Sequence, residues 1–67
     1  MSPKRLSRVI KALREEKGLS QKALATRVGV TDAYIAMLET GIRKNPSLDI
    51  LKKLAKALGV QVTELLG

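Results

Sequence analysis

Glycines at positions 18, 29, 41 and 59 divide this 67-residue chain into stretches that leave room only for short helices. Glycine is a poor helix former and a favoured residue just past a helix end. Ser20 and Thr31 stand two residues after the first two glycines, and Ser47 follows the third after a brief loop. Each offers a side-chain oxygen that can cap the orphan N–H groups of a helix start. The stretches between carry helical periodicity, and no apolar run approaches the ~18 residues of a membrane span.

Five elements follow. Leu6, Val9, Ile10 and Leu13 recur at i, i+3, i+4 and i+7, so the first helix opens at Ser2-Pro3, buries one stripe and stops at Lys17-Gly18. The second starts at the Ser20 cap, turns Leu24, Ala25 and Val28 inward and ends at Gly29. The third starts at Thr31, with Asp32 in the first turn where the helix dipole favours a negative charge, and runs through Ile35 and Leu38 to about Thr40. Gly41 to Pro46 is a loop, because Pro46 disfavours helix at Asn45. Ser47 caps the fourth helix, with Asp49 in its first turn. Leu48, Ile50, Leu51, Leu54, Ala55, Ala57 and Leu58 cover half its circumference, opposite Asp49, Lys52, Lys53 and Lys56, which suggests a central helix touching several neighbours. Val62 to Leu66 make a short fifth helix, for which Gln61 is a poor cap. The expected architecture is an all-α, compact five-helix bundle forming a single domain over residues 1–67.

The chain has 13 Lys and Arg against 6 Asp and Glu, a formal charge of +7. A balance this basic points to a polyanionic partner, with nucleic acid the leading candidate and a merely solvated basic surface the bland alternative. There is no Cys and no His, which removes disulfides, thiolate metal sites and the commonest general base. No phosphate-cradling loop or metal-ligand spacing is present. The chain is therefore expected to be no enzyme, with no catalytic residues, cofactor, metal or small-molecule substrate. Tyr34 is the sole aromatic residue, too few for a single-strand stacking platform. Arg8 and Lys11 interrupt the segment after Lys4 and Arg5, so no signal-peptide core forms, and a cytoplasmic protein without membrane contact is expected.

The functional signal is a spacing counted from Gln21. Ala25 is the fifth position, Gly29 the ninth, Ile35 the fifteenth and Leu38 the eighteenth. A small side chain at Ala25 lets two helices approach, Gly29 suits a sharp corner, and Ile35 with Leu38 pins the second helix. This is the helix-turn-helix pattern, over about residues 20–39. With Leu13-Arg14-Glu15-Glu16-Lys17-Gly18-Leu19-Ser20-Gln21, Leu24-Ala25, Val28-Gly29-Val30-Thr31, Leu38-Glu39, Gly41, Asn45-Pro46-Ser47-Leu48 and Leu54-Ala55-Lys56-Ala57-Leu58-Gly59-Val60, the sequence closely resembles the phage repressor/Cro-type, or XRE, family. The resemblance implies a lambda repressor-like domain that binds double-stranded DNA, usually as a homodimer on a palindromic operator. It also implies a prokaryotic or phage-encoded, nucleoid-associated protein. In that family the third helix enters the major groove and the second lies across the backbone.

By this resemblance Asp32, Ala33 and Met37 are base-reading positions, with Tyr34 beside them. Chemically, Asp32 can accept from cytosine N4, Ala33 can touch a thymine methyl, and Met37 offers apolar contact. The competing reading of Asp32 is a helix-start residue bonding its own backbone, and that of Met37 a contact with the core or a partner. This face has no Arg, Lys, Asn or Gln to bond guanine or adenine in bidentate fashion. Candidate phosphate contacts are Ser20, Gln21 and Thr31 at helix starts, Arg43 and Lys44 in the exit loop, and Lys22, with Arg27 less well placed. The resemblance also implies a structural ion pair between Arg14 and Glu39. Val60, Val62 and Leu66 are the candidate dimer surface, and Leu65 is expected to close the core. Two functions result: a sequence-specific transcriptional regulator, of repressor type, or an antitoxin- or coactivator-like module with a protein partner, favoured by the apolar Ala33, Ala36 and Met37.

Overall fold

Ser20, Thr31 and Ser47 set three of the helix starts. Their hydroxyl oxygens accept from the backbone N–H groups of Ala23, Tyr34 and Ile50 at 3.0, 3.1 and 3.2 Å. The computed structural model describes residues 3–66 and holds α1 (Pro3–Glu16), α2 (Gln21–Val28), α3 (Asp32–Thr40), α4 (Leu48–Leu58) and α5 (Val62–Leu66). The expected Ser2 cap lies outside the described residues. Among the described residues there are helices and connecting turns and no strand.

The corner between α2 and α3 depends on Gly29, at φ +84°. Its N–H and that of Val30 both donate to the Ala25 carbonyl, at 2.8 and 3.0 Å. The left-handed residue reverses the chain just past the last helical turn, so α3 starts only three residues later.

The core takes Leu6 and Ile10 from α1, Leu24, Ala25 and Val28 from α2, Ile35 and Leu38 from α3, Leu51, Leu54, Ala55 and Leu58 from α4, and Leu65 from α5. Burying one such Leu or Ile contributes about 1.5–3 kcal/mol, and the cluster is the main force holding five short helices together. Two expectations need correction. The helix α4 is not central: the main packing pairs run α1 to α3, α3 to α2, α2 to α4, α4 to α5 and α5 back to α1, a closed ring in which each helix has two principal neighbours. Its wide apolar arc serves two flanking helices. Leu48 does not join the core and is 57% exposed. It occupies the first turn of α4, while Pro46, just before the cap, is buried.

Gln61 is also better served than expected. Its N–H donates to the Glu64 carboxylate at 2.7 Å. The third helical residue reaches back to the residue before the helix, which is half of a capping box, and this lets a five-residue helix hold its start.

Candidate nucleic-acid interface

The helix α3 is fixed from beneath and from one side. Ile35 and Leu38 are buried in the core. Beside them the Glu39 side chain, 2% exposed, meets Arg14 of α1, 12% exposed. Arg14 Nε donates to Glu39 Oε2 at 2.6 Å and its Nη2 to Oε1 at 3.1 Å, a bidentate fork. Its remaining terminal nitrogen donates to the Leu19 carbonyl at 2.7 Å. The bond to Glu39 holds the Arg14 guanidinium above its ordinary pKa, partly offset by burial, so the pair keeps its cation throughout the working pH range. The ion pair implied by resemblance is thus present in the geometry, and it ties α3 to α1.

Gln21 joins the same cluster: its side-chain amide donates to Glu39 Oε1 at 3.1 Å. The side chain considered for phosphate contact therefore serves an internal bond. Its backbone N–H lies at the start of α2, where the first amides have no partner within the helix. The starts of α2 and α3 differ. The first turn of α2 carries no acidic residue, so its positive end is open to an outside anion. In α3, Asp32 Oδ1 accepts from the Ala33 N–H at 3.0 Å, so that end already holds a carboxylate. The helix-start role weighed for Asp32 is realised, and Thr31 has less to offer a phosphate than Ser20 and Gln21.

The outward side of α3 presents Ala33 and Asp32 exposed and Met37 and Ala36 half-buried. Tyr34 is half-buried too, with its ring packed against the core edge. It lies four residues before Leu38 and so shares the flank of the buried stripe. The exit loop then folds back: Arg43 N–H donates to the Met37 carbonyl at 3.0 Å, and the guanidinium carbon lies 5.3 Å from the centre of the Tyr34 ring. A face that carries no positive charge along the sequence thereby gains a cation from nine residues away.

Lys44 lies on the rim of a shallow cleft of about 550 Å³ between α1 and the exit loop, lined also by Lys4, Ser7 and Arg8. Lys4 and Arg8 were not among the sequence candidates, although their spacing of four puts them on one face of α1. Arg27 borders a second cleft with Lys53 and Lys56 that shares no lining residue with the first. Lys22 is exposed on α2. Val60, Val62 and Leu66 are half-buried against the core, and Leu65 is fully buried.

The chain is similar to the HTH-type transcriptional regulator SlrR of Bacillus subtilis (strain 168), 40% identical over 60 residues that make up 90% of this chain and 40% of that protein. It is 43% identical over 58 residues to the immunity repressor protein of Bacillus phage phi105, covering 87% of this chain and 40% of the relative. The chain thus spans about two fifths of the length of these curated relatives. Among solved structures it resembles the master regulator for biofilm formation SinR in complex with DNA, with a TM-score of 0.88, 37% identity, and coverage of 92% of this chain and 98% of that one. The Helix-turn-helix family model matches residues 10–65, and the chain belongs to that family.

Proposed function

We propose that this chain is a sequence-specific, double-stranded DNA-binding transcriptional regulator of repressor type that acts as a homodimer on a palindromic operator. The observation that carries the reading is the locked α2–Gly29–α3 corner, with Asp32 and Ala33 exposed on the outer side of α3, Arg43 brought over Tyr34 and Lys44 beside the end of that helix. The SinR structure, which holds DNA on a closely similar fold, and the repressor among the relatives support it. The N–H groups opening α2, with Ser20 and Gln21, take one backbone phosphate. Thr31 and Lys22 flank it, and Lys44 takes a phosphate on the far side of the groove. Between these anchors Ala33 lets α3 approach the base edges closely, Asp32 accepts from cytosine N4, and Met37 gives apolar contact. Val60, Val62 and Leu66 form the dimer contact, which sets the two reading helices about 34 Å apart.

Selection from a random duplex pool, with binding repeated across salt, tests this. The expected result is a palindromic consensus with half-sites one turn apart. The logarithm of the binding constant should fall by about 0.9 per phosphate neutralised for each tenfold rise in salt. Recovery of no consensus overturns it. The apolar outer side of α3, together with Ile42 at 71% exposure, favours the protein-interaction module as the second reading, and that result would select it.

A further inference from the structure

Arg43 sits in the exit loop, where a cation is ordinarily read as a phosphate contact. We infer that Arg43 is instead a base-reading residue, held by Tyr34 so that its guanidinium presents donors to a guanine edge. This rests on the DNA-reading function proposed above.

Three observations carry it. First, the side chain does not extend away from the helix. Its backbone N–H is bonded to the Met37 carbonyl at 3.0 Å, and its guanidinium lies over Tyr34, 5.3 Å from the ring centre. Positions 34 and 37 are neighbours on a helix surface, so the side chain runs back along α3 beside Met37, towards the end that carries Ala33. Second, a guanidinium held over a ring by a cation–π contact spends none of its N–H donors on a conventional hydrogen-bond acceptor and keeps them for other partners. Among the described residues no carboxylate lies within ion-pair distance of Arg43 to occupy those donors. Third, the chemistry is otherwise missing. Asp32, Ala33, Tyr34 and Met37 include no side chain able to form two hydrogen bonds to guanine O6 and N7, the commonest specific contact in a major groove. Arg43 supplies it, and the cation–π contact with a half-buried Tyr restrains a long side chain that would otherwise lose more freedom on binding.

The test is selection from a random duplex pool with the full chain and with Arg43→Ala, Arg43→Lys and Tyr34→Phe, followed by titration of the selected duplex and its single-base variants across salt. The wild-type chain should enrich one guanine per half-site. Arg43→Ala should lose discrimination there by about 5- to 150-fold and leave the other positions unchanged. Arg43→Lys keeps the charge without the planar fork, so the same guanine preference should fall while binding to unrelated duplexes stays near wild type. Tyr34→Phe keeps the ring and should keep the preference. The assignment is overturned if Arg43→Ala selects the wild-type consensus, binds all duplexes more weakly by one factor and shows a salt slope reduced by about one; Arg43 is then a phosphate contact. A wild-type chain that enriches no consensus overturns the base-reading function itself, an outcome distinct from an Arg43→Ala variant with the full consensus.

Discussion

The Arg14–Glu39 pair is the place where one atom-scale change should alter the whole domain. Substituting Arg14→Met keeps most of the aliphatic stem and removes the fork. Glu39, 2% exposed, then loses the bonds at 2.6 and 3.1 Å and keeps only the one from Gln21, while the Leu19 carbonyl loses its donor. Removing one partner of a buried pair costs about 3–5 kcal/mol, because the other charge is stranded. At 0.05–0.15 kcal/mol per residue, a domain of this size has a total stability of about 3–10 kcal/mol. One substitution therefore removes a third to all of it, a fall in melting temperature of at least about 12 °C at 4 °C per kcal/mol. The reverse change, Glu39→Leu, should cost less, because Arg14 is the more exposed partner and can turn towards water. The double variant Arg14→Met with Glu39→Leu removes both charges and should recover most of the loss. Thermal melts of the four proteins close the cycle. The Arg14 pKa is raised by folding, so its stabilising charge is present below the unfolded value and lost only as pH rises through the folded one, far above the buffers used. A melt of Arg14→Met within about 2 °C of wild type, or a double variant as unstable as that single one, would refute the reasoning.

Three further outcomes are expected. Gly29→Ala forces a side chain into φ +84° but meets no atom within 4 Å, so its cost is backbone strain alone, about 1–2 kcal/mol in urea unfolding. Gly29→Asn should recover part of that loss. Lys44→Ala should reduce the salt slope of duplex binding by about one and leave the selected sequence unchanged; an altered consensus would contradict its proposed role as a phosphate contact. Glu64→Ala removes the acceptor that holds the Gln61 N–H and should cost about 0.3–1.5 kcal/mol. Faster hydrogen exchange at the backbone amides of α5 would show it, and unchanged exchange would mean that the start of α5 is held by packing alone.

What could be read along the chain was what nearby residues decide. The helix starts at Ser20, Thr31 and Ser47 and the stop at Gly29 depend on groups a few positions apart, and the structure keeps each of them. Ile35, Leu38 and Leu65 are buried for the same local reason, a repeat that matches the helix turn. The failures are of two kinds. Leu48 and the supposed centrality of α4 were read from an apolar arc, which says how much of a helix is greasy but not how many neighbours share it. The Gln61–Glu64 bond did have a local signal, an acid three residues after the cap, hidden because Gln is itself a poor cap. Contacts between distant positions left no such local trace, and the one anticipated, Arg14 with Glu39, 25 residues away, came from family resemblance and not from periodicity. Gln21 lies 18 residues from Glu39, and Lys4 meets the cleft of Lys44 only once α1 has packed beside the end of α3. Arg43 over Tyr34 belongs to this class, because the path of the loop decides it and no periodicity encodes a loop's path.

The charge of +7 is spread over most of the domain, and the outer side of α3 has almost none of it. Asp32 and Arg43 there cancel in formal charge, while Lys44, Lys4 and Arg8 line a cleft at the end of α3 and Lys22 is exposed on α2. Counterion release follows the cations that meet phosphates, and base discrimination follows hydrogen bonds and methyl contacts at the groove floor. In the proposed complex the two properties thus rest on different side chains. The frame that keeps them in register is a third set: one carboxylate, Glu39 of α3, bonded to Arg14 of α1 and Gln21 of α2. It ties α3, the proposed reading helix, to α2, whose start is proposed to take the phosphate. A loss at Glu39 should therefore weaken both anchoring and reading, whereas a loss at Lys44 touches only the first and a loss at Ala33 or Arg43 chiefly the second.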